Sequence, residues 1–373
     1  LHLKRPEIAL PEHLFYYPAV ILNHRTFEGD FLKAPHGTGP YMLDSYQAGE
    51  HCILKKRMNY WQPGLPFISE IKFIDMGLDP ARRISALISG DVDVADLNGL
   101  DELDAVQRLK GNGGISIHPV ASARANVLRM RVDREPWSDN RVRTALKLCQ
   151  HREKIMLLAG MKQGNIGQDF HIAPQHPEYC PKPAPKYDPR HARALLEEAG
   201  FPEGLDVTLT IGDQWPDIEK YARVLQNDAA QAGFRIHIDK IPARKYKQSF
   251  MEIEFGITPW THRPLGTMVL NLAYTGDMDG NPVPMNETRW VDREFSALLA
   301  AANATLDLSK RRKLFCRLEN IQMKRGSVGI AWWQNRWTAT RKTVRNLKPH
   351  PSGYLLLDRV WTVSYTHLTL PTT

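Results

Sequence analysis

The sequence is short of cysteine. Cys52, Cys149, Cys180 and Cys316 are the only four among 373 residues. They include no C-x-x-C pair and no Cys/His set at zinc-site spacing, which excludes a zinc-finger module. Cys149 and Cys316 stand among apolar, helix-forming residues and read as buried thiols; spacing alone leaves any disulfide pairing open. No run approaches the roughly 18 apolar residues of a transmembrane helix. Low-complexity segments and fixed-period repeats are also absent. So are G-x-S-x-G, H-E-x-x-H, the Walker A loop and G-x-G-x-x-G, and no motif-borne nucleophile, zinc protease or nucleotide site is expected. Asp277-Met278-Asp279-Gly280-Asn281 resembles a calcium loop but has Thr288 where the twelfth-position Glu belongs, so it reads as a turn. No metal and no cofactor are expected.

Hydrophobic residues make up 42% and charged residues 24%, an ordinary globular balance that excludes collagen-like, coiled-coil and disordered classes. The net charge of 49 − 41 = +8 is a mild bias, compatible with an anionic partner and not demanding nucleic acid. The chain opens on Leu1 without the charged, apolar and small-residue pattern of a signal peptide. Residues 363–373 are uncharged and match nothing expected after Trp361; they read as a non-native tail.

Between the ends, helix and strand signals alternate. Asp79 caps a helix with Pro80 in its first turn, Ile84, Leu87 and Ile88 form its apolar face, and Gly90 stops it. Asp188, Pro189, Leu195, Leu196 and Gly200 repeat the scheme. Val207, Leu209 and Ile211 alternate as a strand, a helix is predicted over about 216–232, and Phe234, Ile236 and Ile238 form the next strand. That is a right-handed, parallel crossover. Two more helices are predicted near 292–304 and 309–324. The fold class is α/β in more than one lobe. A boundary is expected near 111–121, where His118-Pro119 should end a short strand opened by Ile115 and Ile117. A second crossing is expected near 327–340.

Few residues suggest chemistry. His171 and His176 lie in a proline-rich loop and read as exposed. Two basic clusters, one from Arg124 to Arg134 and one at Lys310–Lys313, read as solvated faces. More informative is Trp260-Thr261-His262-Arg263, which follows the apolar strand 255–258. At the carboxyl end of a strand, Trp offers a flat apolar wall and Arg a fork for carboxylate or phosphate.

Several blocks together resemble a known family. They are Gly37-Thr38-Gly39-Pro40-Tyr41, Asn59-Tyr60-Trp61, Asp79-x-x-x-Arg83-x-x-x-Leu87-x-x-Gly90-x-Val92-Asp93, and Pro136-Trp137-Ser138-Asp139-Asn140-Arg141-Val142-Arg143-Thr144-Ala145-Leu146. Then come Tyr187-Asp188-Pro189, Ala192-x-x-Leu195-Leu196-x-x-Ala199-Gly200-Phe201 and Asp292-x-Glu294-Phe295. In this order they resemble the family 5 extracellular solute-binding proteins of ABC importers for peptides and nickel, over about residues 30–362. The resemblance implies a periplasmic-binding-protein-like fold with mixed sheets, in two lobes that close by hinge bending on a solute. On that pattern residues 1–118 are a partial first lobe lacking its start and most of an inserted subdomain. Residues 119–330 are a complete second lobe and 331–362 return to the first.

The resemblance further implies a non-enzymatic, periplasmic or lipid-anchored monomer. It would deliver a peptide-like or other small polar solute to permease subunits, bind no nucleic acid and insert no segment in the membrane. In dipeptide- and oligopeptide-binding members an Asp shortly after the Trp of this block meets the ligand's α-ammonium. Arg263 stands there instead, which favours a solute with an anionic group. Expected ligand residues are Trp260, His262, Arg263, Trp215 (at a helix amino end that can favour an anion), Asn286 and Trp332. The rival readings are a hydrolase with a site assembled from scattered residues, which needs a nucleophile beside a base, and a basic nucleic-acid binder.

Overall fold

The computed structural model describes residues 2–3, 6–15, 22–33, 35–77, 79–97, 102–277 and 279–363. The supposed tail therefore lies outside the described residues from 364 onward, as does Met278; Val363 is described and its amide donates to the Thr343 carbonyl at 2.9 Å. In chain order the strands are β1 (Tyr41–Gln47), β2 (His51–Lys56), β3 (Glu70–Ile74), β4 (Val94–Asp96), β5 (Ile115–Met130), β6 (Asn165–Ile166), β7 (Leu205–Gly212), β8 (Phe234–Ile241), β9 (Phe255–Trp260), β10 (Val328–Ile330), β11 (Trp332–Arg341), β12 (Val344–Arg345) and β13 (Trp361–Thr362). The helices are α1 (Leu10–Phe15), α2 (Pro80–Ser89), α3 (Glu102–Leu109), α4 (Asn140–Leu148), α5 (Arg152–Leu158), α6 (Pro189–Glu198), α7 (Pro216–Ala229), α8 (Ala243–Ser249), α9 (Gly266–Ala273), α10 (Arg293–Asn303) and α11 (Leu308–Arg325).

Aspartate side chains start five of these helices. Asp79, Asp139, Asp188, Asp292 and Asp307 each accept a hydrogen bond from a backbone N–H of the first turn of α2, α4, α6, α10 and α11, satisfying donors that a helix start leaves open. Gly90 and Gly233 take the left-handed conformation where α2 ends and where the short 3-10 turn 230–232 prolongs α7.

The chain divides into two compact units, residues 1–15 with 121–336 and residues 16–120 with 337–373. Of the three boundaries, those at 120/121 and 336/337 fall inside the long strands β5 and β11, and the third follows α1. His118-Pro119 does not end a strand, contrary to the sequence expectation: β5 runs unbroken for 16 residues.

In the 121–336 unit, β7 pairs in parallel with β8 (Leu205↔Phe234 to Gly212↔Ile241) and with β9 (Thr210↔Gly256). β5 pairs antiparallel with β9 from Ala125↔Trp260 to Met130↔Phe255 and, at residues 127–129, also antiparallel with β10. Because side chains alternate along a strand, this sheet builds one core on each face. Leu128, Met130, Ile257, Leu209 and Ile211 join Tyr221, Leu225 and Trp332 in one. Ala123, Ala125, Val127 and Trp260 join Phe170, Phe295, Phe315 and Trp333 in the other.

In the second unit, β4 pairs with residues 338–340 of β11 over a smaller core containing Leu87, Leu109 and Trp337. β1, β2 and β3 form an antiparallel sheet with no buried residue on any strand. Among the described residues no helix is long and apolar enough to cross a membrane.

Candidate functional site

Parallel strands expose their carboxyl ends, with the loops that follow them, along one edge of a sheet. In the 121–336 unit that edge carries residues 213–215 after β7 and 261–265 after β9. Since β5 is antiparallel with Ala125 opposite Trp260, its residues 121–124 reach the same edge. Ser122 Oγ donates to the Gln334 carbonyl at 2.6 Å and brings part of β11 there too.

Two loops shape the edge. Gly212 has no room for a side chain: a Cβ would lie 2.6 Å from Gln214 Oε1 and 2.7 Å from the Trp215 ring. Glycine thus lets Gln214 and Trp215 fold over the strand end. The Gln214 amide is buried with neither polar atom hydrogen-bonded. Trp215 is half-buried and meets Tyr246 edge-on at 5.3 Å. It precedes α7 without a side-chain cap bond, and Asp217 and Glu219 occupy the first turn. Asp217 Oδ2 accepts from Asn126 Nδ2 at 2.6 Å and Gln334 Nε2 at 3.2 Å. The expectation that this helix end favours an anion is corrected here, because its own carboxylates already meet the positive end of the dipole.

After β9, Trp260 Nε1 donates to Glu287 Oε1 at 3.0 Å, while Glu287 Oε2 accepts from Arg129 Nε at 2.5 Å and Thr258 Oγ1 at 2.7 Å. His262 Nδ1 accepts the Ala123 N–H at 3.0 Å, so that nitrogen carries no proton and the loop is fastened to β5. Arg263 is partly exposed; its Nη1 donates to Thr261 Oγ1 at 2.8 Å and its carbonyl accepts from His176 Nε2 at 2.9 Å.

His171 and His176 are buried, not exposed as the loop composition suggested. Burial pushes His171 down to about 3 and His176 to about 4, so both are neutral. His176 Nδ1 accepts from the Ala173 N–H, and His171 Nδ1 pairs with the Tyr274 hydroxyl at 2.7 Å and meets Trp260 edge-on at 5.2 Å. The basic clusters are likewise not simple solvated faces. Arg129 is paired with Glu287 inside the core, Arg131 with Asp133 and Glu252, and Arg311 with Glu178.

Of the expected ligand residues, Trp260, His262 and Arg263 share one continuous stretch and Trp215 lies at the neighbouring strand exit. Trp260 packs in one core and Trp215 against the other, so the two rings lie on opposite faces of the sheet. Asn286 and Trp332 are elsewhere. Asn286 is fully buried with its amide spent on the Thr275 and Trp290 carbonyls. Trp332 is 1% exposed and packs edge-on against Tyr221. Both are framework, corrected by burial that leaves them no free face.

Sequence reasoning missed Asp217, Asn126 and Gln334. The alternation Ser122, Arg124, Asn126 and the Pro216-Asp217 helix start were the available signals. Cys316 also needs correction: it is bonded to Cys180. Cys149 is a buried thiol, raised by burial. A Ser–His pair does occur, with Ser45 Oγ 3.3 Å from His51 Nε2. It sits on the β1–β3 sheet, none of whose strand residues is buried.

Residues 1–279 match the family described as bacterial extracellular solute-binding proteins, family 5 middle. The chain is 24% identical over 321 residues to the glutathione-binding protein GsiB of Escherichia coli (strain K12), covering 81% of this chain and 58% of that protein. It is 25% identical over 344 residues to di/tripeptide-binding protein 1 of Pseudomonas aeruginosa (strain UCBPP-PA14), covering 87% and 60%. The chain thus spans under two thirds of the length of these relatives. Among solved structures, HbpA2 from Haemophilus parasuis superposes with a TM-score of 0.80 at 19% identity, covering 97% of this chain and 73% of that one. A dipeptide-binding protein from Pseudoalteromonas sp. SM9913, in complex with Met-Leu, gives 0.78 at 20%, also covering 97% and 73%. AgaA from A. tumefaciens R10, a periplasmic binding protein in complex with agropinic acid, gives 0.78 at 22%, covering 98% and 76%. The fold is that of the periplasmic binding proteins.

Proposed function

The chain belongs to family 5 of the bacterial extracellular solute-binding proteins, and from that premise we propose that the protein is the solute receptor of an ABC importer. It takes up a peptide-like or other small polar solute outside the cytoplasm, transforms nothing, and hands the solute to permease subunits. It acts as a monomer, in the periplasm or held by a lipid anchor. Named relatives that bind glutathione or di- and tripeptides support the solute class. The Cys180–Cys316 disulfide supports an oxidising compartment.

One observation carries the site assignment. The carboxyl edge of β7 and β9 holds groups of both signs in half-exposed positions, Asp217 in the first turn of α7 and Arg263 on the loop after β9, with Trp215 next to the one and the buried His262 next to the other. Such an edge suits a small solute bearing separate cationic and anionic groups. Arg263 takes the anionic group as a charge-assisted pair, Asp217 the cationic one, and Trp215 an apolar flank. Trp260 supports the loop from beneath.

Solute carried through purification from the native host, identified by mass spectrometry, defines the ligand for calorimetry. Arg263→Ala should then weaken binding about 10- to 100-fold, the worth of a hydrogen bond to a charged group. Unchanged affinity would remove Arg263 from the site.

A further inference from the structure

Cys180 and Cys316, both half-buried, join the loop before α6 to α11, with Cα atoms 5.2 Å apart. The two sulfurs have unlike surroundings. Lys182 Nζ donates to Cys180 Sγ at 3.8 Å and lies 3.9 Å from Glu319 Oε2. Glu319, one helical turn beyond Cys316, is fully buried. Its Oε1 accepts the Cys180 N–H at 3.1 Å, and its Oε2 accepts no hydrogen bond. Burial pushes this carboxyl up to about 8, so at neutral pH it is mostly uncharged and leaves the Lys182 charge uncancelled. Arg312 and Lys313 are exposed and precede Cys316 by one turn of α11, and Arg312 Nε donates to the Pro177 carbonyl at 2.7 Å.

We propose that Cys180–Cys316 is a directional thiol-exchange site, entered by small anionic thiols at Cys316 and releasing Cys180 beside Lys182. Arg312 and Lys313 raise the local concentration of an anionic thiolate. The thiolate attacks Cys316 Sγ and forms a mixed disulfide there. The Cys180–Cys316 bond breaks, and its electron pair leaves on Cys180 Sγ as a thiolate stabilised by the Lys182 ammonium. The proton lost by the attacking thiol ends on Cys180. A second thiol attacks the small-molecule sulfur of the mixed disulfide and frees Cys316. In sum, two thiols are oxidised to their disulfide and the protein disulfide is reduced to two thiols.

The probe is 2-mercaptoethanesulfonate, an anionic thiol unrelated to peptides, added to the folded protein with iodoacetamide present and read by peptide mass mapping. Cys316 should carry the mixed disulfide and Cys180 the alkyl group. The thiolate stabilised by Lys182 leaves faster, so adducts on Cys316 should outnumber those on Cys180 about threefold. Lys182→Met should bring the ratio to about one, while Lys182→Arg should keep it. Adducts mainly on Cys180, equal adducts in the unaltered protein, or a disulfide that opens only in denaturant would each overturn the proposal. So would an unchanged ratio in a folded Lys182→Met variant. If that variant does not fold, the ratio in the unaltered protein and in Lys182→Arg still decides.

Discussion

His176 and Glu319 are buried in their neutral forms, and they tie stability to pH with opposite signs. His176 falls from an ordinary 6.5 to about 4 in the folded chain, so its contribution is complete above pH 6.5 and drains away as pH drops toward 4. The depression is worth on the order of 3 kcal/mol. Glu319 rises from 4.5 to about 8, so its contribution is complete below pH 4.5 and is lost as pH rises through 8. In the unaltered protein these slopes partly cancel between pH 4.5 and 6.5. Single substitutions should separate them in urea unfolding. His176→Gln keeps an acceptor for the Ala173 N–H and a donor for the Arg263 carbonyl, and should lose stability less steeply than the unaltered protein from pH 6.5 to 4. Glu319→Gln should gain on the unaltered protein steadily from pH 4.5 to 8. Parallel curves for both variants would contradict the buried, neutral assignments.

Helix starts are where sequence and structure correspond most closely, and there the energetics are local. Asp307 is exposed and its carboxylate accepts the Lys310 N–H at 2.8 Å, the first bond of the 18-residue α11. Asp307→Ala should cost about 1 kcal/mol in urea unfolding, and Asp307→Ser close to nothing. Equal losses in both would show that the cap bond is not what matters. Cap and stop residues act on their neighbours, so they can be read from a short window; Asp79 to Gly90 and Asp188 to Gly200 were legible for that reason. The alternation at Val207–Ile211 and Phe234–Ile238 was legible because one period sets both side-chain direction and burial. What escaped depends on partners far along the chain. Pro119 reads as a strand breaker, yet β5 continues through it. The burial of Arg129 depends on Glu287, and Cys180 finds Cys316 across 136 residues. The site was legible in the same proportion: the Trp260–Arg263 stretch declares itself, whereas Asp217 matters because Asn126 and Gln334 come to it from two other strands.

At the scale of the whole chain, stability is distributed unevenly. Among the described residues, ten of the twelve largest fully buried side chains, including Trp332, Trp333, Tyr221 and Phe295, belong to residues 121–336; Leu87 and Leu109 are the other two. That unit closes a core on each face of its sheet, whereas the β1–β3 sheet buries no residue. Resistance to opening follows buried apolar contact, so β1–β3 should exchange amide hydrogens fastest among the sheets and β7, β8 and β9 slowest. The same imbalance predicts that residues 121–336 fold on their own. This fragment keeps both cores and gives up only the 1–15 segment, whose Ala9 packs on Leu265 and Met268 and whose Ile8 N–H reaches the Asn303 carbonyl. Expressed alone, it should unfold in urea in one cooperative step, with near-ultraviolet and far-ultraviolet circular dichroism changing together. Its slowly exchanging amides should be those of β7, β8 and β9 in the whole chain. A fragment with helical signal but no near-ultraviolet signal would mean that the two cores need the rest of the chain to pack.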